Sequence, residues 1–133
     1  MEIQPYLFLD GRCEEAIAFY RQALGAEPAM MMRFRDAPDQ SMVPPGGGDK
    51  IMHARLQIGD TTLLLSDGRC RGQPNFQGFA LSVTASDPAA AERLFNALSE
   101  GGAVQMPLAK TFFSPAFGMV ADRFGVGWMV YVG

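Results

Sequence analysis

The chain has 133 residues, 48% hydrophobic and 19% charged, with a formal net charge of −3. That length holds a core without disulfide or metal staples, and the low charged fraction points to apolar surface covered by another copy, so a homodimer is expected. Lys and Arg are scattered rather than striped, which argues against a nucleic-acid partner; no basic segment leads into a long apolar one and no apolar run reaches bilayer length, so no membrane partner and a cytoplasmic location are expected.

Residues 3–9 are apolar and aromatic and end at the turn dipeptide Asp10-Gly11, which predicts a strand. A helix follows from about Cys13 to Leu24. Its residues Ala16, Phe19, Tyr20, Ala23 and Leu24 repeat at helical spacing, Glu14 and Glu15 suit the positive end of its dipole, and Gly25 supplies a left-handed stop. Residues 30–34 read as a second strand. The stretch 36–49, with Pro38, Pro44, Pro45 and Gly46-Gly47-Gly48, is expected to be the least ordered part of the chain and a candidate lid or dimer arm. Its triple glycine lacks the strand, helix and Lys-Ser/Thr context of a phosphate-binding loop. Ile51–Ile58 and Thr61–Ser66 are predicted strands joined by the hairpin dipeptide Gly59-Asp60.

The same order then recurs, displaced by about 75 residues. Residues 79–83 form the first strand of the second copy, Asp87-Pro88 caps and starts a helix with the stripe Ala91, Leu94, Phe95 and Leu98, and Gly101 ends it. Residues 103–106, 117–122 and 127–132 complete the set, with a turn over 123–125 that Asp122 is expected to hold through backbone amides. Module 1 spans about 1–68, a linker about 69–76 and module 2 about 77–133, each in the order βαβββ.

The segments "YLFLDGRCEEAIAFYRQALGAE", "HARLQIGDTTLLLSDG" and "FGMVADRFGVGWMVYV", in this order and on this repeat, resemble the PhnB-like subfamily of the vicinal oxygen chelate superfamily, the glyoxalase and bleomycin-resistance proteins. Members of the subfamily also carry a demethylubiquinone methyltransferase label. The resemblance covers nearly the whole chain and implies an α+β fold in which two βαβββ modules form a curved mixed sheet. Metal-dependent members of the superfamily place four His, Glu or Gln ligands on the first and last strands of each module. Those positions fall here on Pro5, on Leu64 or Leu65, on or beside Gly78, and on Met129. None of these supplies an imidazole, thiolate or carboxylate, so no metal and no cofactor are expected.

What the resemblance leaves is a concave sheet face lined by apolar side chains. Strand alternation predicts Pro5, Leu7 and Leu9 on the cavity side with Met129 and Tyr131, and Tyr6, Phe8, Trp128 and Val130 packed beneath the helices. The expected ligand-contacting set is Leu7, Leu65, Phe112, Phe113, Met129 and Tyr131. For Phe112 and Phe113, core and pocket wall are equally compatible with their place in the chain. The three methionines Met30, Met31 and Met32 suit an adaptable cavity or an ordinary core.

His53 is the only histidine, hence the only side chain whose unperturbed pKa lies near neutrality. Ser66 is its expected neighbour across the hairpin, and Asp67 is the candidate group to orient it; a satisfied structural histidine is the preferred alternative. Asp67, Arg69, Cys70 and Arg71 form either an anion site or a solvated crossover, the latter being preferred. Cys13 and Cys70 are expected to be free thiols. The leading reading is a metal-independent binder of a small, largely apolar molecule. The alternatives are an enzyme, whether a lyase, isomerase, dioxygenase or methyltransferase with unplaced metal ligands or one using His53 and Asp67 as acid and base, and a structural or interaction dimer.

Overall fold

The repeat is realised as two copies of one strand order. The computed structural model describes residues 1–68 and 74–133. The chain separates into two units, Met1–Pro74 and Asn75–Gly133. Unit 1 contains β1 (Tyr6–Phe8), α1 (Cys13–Leu24), β2 (Glu27–Arg33), β3 (Ile51–Ile58) and β4 (Thr61–Ser66). Unit 2 contains β5 (Leu81–Ala85), α2 (Pro88–Ser99), β6 (Ala103–Ala109), β7 (Phe117–Ala121) and β8 (Gly127–Val132). The sheets run β1-β4-β3-β2 and β5-β8-β7-β6, each with its first and last strands parallel and the rest antiparallel. This is the α+β arrangement of paired βαβββ modules. The expected linker over 69–76 lies largely outside the described residues, as do Arg69, Cys70 and Arg71.

Local chemistry accounts for the element ends. Asp10 takes a left-handed backbone with φ 49° ahead of Gly11, a conformation that aspartate tolerates better than most residues. Gly25, at φ 68°, ends α1 by donating its N–H to the Arg21 carbonyl, while Ala26 N–H reaches back to Tyr20. Asp87 accepts from Ala90 N–H at 2.8 Å and Pro88 opens α2. Ile58 pairs with Thr61 around the two-residue loop Gly59-Asp60. Asp122 accepts from the amides of Phe124 and Val126 and from Trp128 Nε1 at 2.9 Å, so it closes the β7–β8 turn and anchors the indole beneath it. Several strands begin or end differently from expectation: β1 is shorter and starts at Tyr6, β2 begins earlier at Glu27, β5 runs Leu81–Ala85 rather than 79–83, and β6 continues past Pro107 to Ala109.

The stretch 36–49 is more structured than its composition predicts. It carries two short 3-10 helices, Phe34–Asp36 and Gln40–Met42, and its two ends are laced together by Phe34 N–H to Lys50 O and Arg35 N–H to Gly48 O. Arg33 ties the base of the stretch to α1 through both Glu14 carboxylate oxygens, at 3.0 and 2.6 Å.

In unit 1 the buried strand residues include Leu7, Ile51, Ala54, Leu56, Leu63 and Leu65, and α1 buries Cys13, Ala16, Ile17, Phe19 and Tyr20. In unit 2, Val120, Trp128, Val130 and Val132 meet Ala91, Phe95 and Leu98 of α2. Gly118 shares this buried side: a Cβ there would come within 2.7 Å of the Phe95 ring, so glycine permits the close approach of helix and sheet.

Candidate functional site on the open sheet faces

The side of each sheet away from its helix is the uncovered one, and register states what lies there. In unit 1 one row reads Tyr6, Leu64, Arg55, Met30. Two residues along the strands, Phe8 stands opposite Ser66, and Met32 opposite His53. Between these rows lies the buried one, Leu7, Leu65, Ala54. Tyr6 is 39% exposed and Phe8 55%, whereas Leu7 and Leu65 are at 1% and 0%. The expected facing is therefore reversed in this unit. Leu7 and Leu65 are core residues beneath α1, and Tyr6, Phe8 and Leu64 occupy the open face. Both alternating sets of β1 are apolar, so its own pattern does not reveal which side a helix will cover. The neighbouring hairpin carries that signal: Arg55 and Gln57 alternate with Ala54 and Leu56, and the tight turn at Gly59-Asp60 brings Leu65 opposite Ala54.

On this face the Tyr6 hydroxyl lies 2.9 Å from His53 Nδ1, and the Tyr6 and Phe8 rings stack with centroids 5.0 Å apart. Partial burial pushes the Tyr6 phenol above its usual pKa, opposed by a hydrogen bond with Ser66. Gly68, at φ 58°, runs so close to Phe8 that a Cβ would come within 3.0 Å of the ring.

Asp67 does not join the cluster. Its carboxylate is buried and accepts from Gly11 N–H at 2.8 Å, Cys13 N–H at 2.9 Å and Ile51 N–H at 2.7 Å. It clamps the start of α1 and the start of β3 to the end of β4. The residue expected to orient His53 thus organises backbone, and Tyr6 takes the histidine instead. Beside Asp67, burial first and then the negative charges of Asp67 and Glu14 push the Cys13 thiol far above its usual value, which favours the protonated thiol in this buried free cysteine.

In unit 2 the open face is of a different kind. One row reads Ser82, Met129, Met119, Met106, and another Thr84, Tyr131, Phe117, Ala109. Met129 and Tyr131 lie on the expected side, with Trp128 and Val130 beneath α2. Hydrogen bonds from Thr84 and then Ser82 hold the Tyr131 phenol below its usual pKa. Phe113 is half exposed and packs edge-on to Phe117 at 5.0 Å, while Phe112 is fully exposed, so neither is core. Ser114 sits buried behind them and donates its hydroxyl toward the Ala116 or Val132 carbonyl, at 2.8 and 2.7 Å.

The positions that would hold the superfamily's metal do not fit one. Pro5 and Gly78 offer no side-chain donor, Leu64 and Leu65 are hydrocarbon, and Met129 has only a soft thioether. Among the described residues no group of three or more His, Cys, Asp or Glu side chains comes together. Nor, among them, is any helix long and apolar enough to cross a membrane.

Comparison with known proteins agrees with this architecture. The chain is 33% identical to protein YjdN of Escherichia coli K12, over 99% of this chain and 95% of that protein. The crystal structure of protein PA1353 from Pseudomonas aeruginosa is 46% identical, with TM-score 0.89 over 99% of this chain and 97% of that one. A PhnB protein from Bacillus cereus, 23% identical, shares the fold with TM-score 0.83 over the whole of both chains. A glyoxalase/bleomycin resistance protein/dioxygenase superfamily member from Sphaerobacter thermophilus, 14% identical, matches with TM-score 0.62 over 100% of this chain and 98% of its own. Residues 1–131 match the family described as 3-demethylubiquinone-9 3-methyltransferase, and the chain belongs to that family.

Proposed function

We propose that the protein binds a small, largely apolar molecule on its open sheet faces without using a metal. The observation that carries this reading is the row Met106, Met119, Met129 in unit 2, three adaptable thioether side chains in register and flanked by Tyr131 and Phe117. Such a surface moulds to apolar ligands, and the Tyr131 hydroxyl with Thr84 and Ser82 supplies the few polar handles that orient them. Met129 and Tyr131 are assigned to ligand contact, with Phe113 at the margin. Thermal-shift and calorimetric screening of small aromatic compounds tests it. Binding that survives EDTA and is lost in Met129→Lys supports the reading; binding that requires added Zn, Ni, Fe or Mn refutes its metal-free part.

One observation favours a second reading. The hydrogen-bonded Tyr6 and His53 pair is the type of arrangement that performs acid–base catalysis, and an enzyme built on it would lose turnover when His53 is replaced. The homodimer belongs to the same proposal. The edge strands β2 and β6 expose Met31, Val104 and Met106, and apolar edges of this kind favour pairing with a second copy.

A further inference from the structure

The open face of unit 1 has a chemistry that the proposed apolar ligand does not use. Arg55 is exposed in the centre of the row Tyr6, Leu64, Arg55, Met30, and no acid shares that row. Arg12, Arg33 and Arg35 pair with Glu15, Glu14 and Asp49, whereas Arg55 forms no ion pair among the described residues, Glu27 opposite Gln57 included. Two residues along β3 stands His53. Tyr6 and Phe8 supply stacked ring surface beside these groups. From this juxtaposition we infer that unit 1 takes a planar aromatic anion, its ring against Tyr6 and Phe8 and its carboxylate on Arg55 and His53.

Each part of the ligand answers to a feature of the face. A guanidinium matches a carboxylate in two parallel hydrogen bonds, which a neutral amide does not reproduce. In the tautomer that lets the Tyr6 phenol donate to Nδ1, the ring proton of His53 sits on Nε2, a second donor for an anionic oxygen. A phenol is protonated at neutral pH without any shift, and partial burial, the largest influence on Tyr6, acts in the same direction. Aromatic rings at the offset of Tyr6 and Phe8 favour a flat apolar body over a branched aliphatic one.

The inference rests on the proposed binding function and specifies the chemical class of ligand. The test compares 2-naphthoate with the neutral 2-naphthamide on the full chain, by calorimetry and by amide and side-chain NMR shifts. The expected result is naphthoate binding about tenfold more tightly at low salt, a preference that shrinks as ionic strength rises and disappears in Arg55→Gln, with shifts at Tyr6, Phe8 and His53. Arg55→Lys should keep only part of the preference. Equal binding of the two probes, or shifts confined to Met129 and Tyr131, overturns the inference and leaves the apolar-binding reading standing. Binding of neither probe at millimolar concentration removes both.

Discussion

The Tyr6 hydroxyl meets Nδ1 of His53 at 2.9 Å although 47 positions separate the two residues in the chain. The parallel pairing of β1 with β4, and the antiparallel pairing of β4 with β3, bring them onto one face. His53→Gln keeps a hydrogen-bonding side chain and removes the imidazole. A binder should lose no more than about tenfold in affinity, on the order of 1 kcal/mol, while an acid–base enzyme should lose about 10²–10⁴-fold in turnover. Affinity and turnover measured side by side with Tyr6→Phe decide between them.

Asp67→Asn should cost about 2–4 kcal/mol of stability, because the amide replaces one of two charged acceptor oxygens with a donor aimed at backbone N–H groups. Urea denaturation should show a lower midpoint with an unchanged slope. If the loss appears instead in ligand affinity or turnover at full stability, Asp67 belongs to the site rather than to the frame.

Gly118→Ala places a methyl group against the Phe95 ring and the Leu108 backbone, the latter at 3.0 Å. Overpacking between α2 and the sheet should destabilise by about 1–3 kcal/mol. The effect should fall on the unfolding midpoint; a neutral result would show that α2 can move outward freely.

The Glu14 and Arg33 pair predicts a pH dependence with a definite sign. The Arg33 hydrogen bonds hold the Glu14 carboxyl below its usual value, against a small opposing effect of burial. A carboxylate depressed in the folded state contributes stability above its unfolded pKa and loses it as pH falls through the folded one. Glu14→Gln should therefore lower the melting temperature slightly at pH 7, and the difference from the parent should close below the carboxylate range. Glu14 is largely exposed and Arg33 partly so, and high salt should shrink the effect as well.

The fold was largely legible because its signals are local. The helical stripe and Gly25 delimit α1, Asp87 and Pro88 start α2, and Gly59-Asp60 sets the hairpin whose strands β3 and β4 coincide with their expected limits. The 36–49 stretch was less legible. Its proline and glycine content describes a chain without a regular ladder, whereas Phe34, Lys50 and the reach of Arg33 to Glu14 supply anchors that no local window contains.

By itself the sequence determined the repeat, the element types, the family and the absence of metal-ligating side chains at the expected positions, all of which follow from residue identity and short periodicities. Only the tertiary structure decided which face of β1 is covered, that Asp67 serves backbone amides and that Tyr6 reaches His53. In a strand such as residues 6–9, Tyr-Leu-Phe-Leu, both alternating sets are apolar, so hydrophobic patterning is nearly indifferent between the two facings. The choice is made where α1 lands on the sheet, and that depends on strand pairings between residues dozens of positions apart.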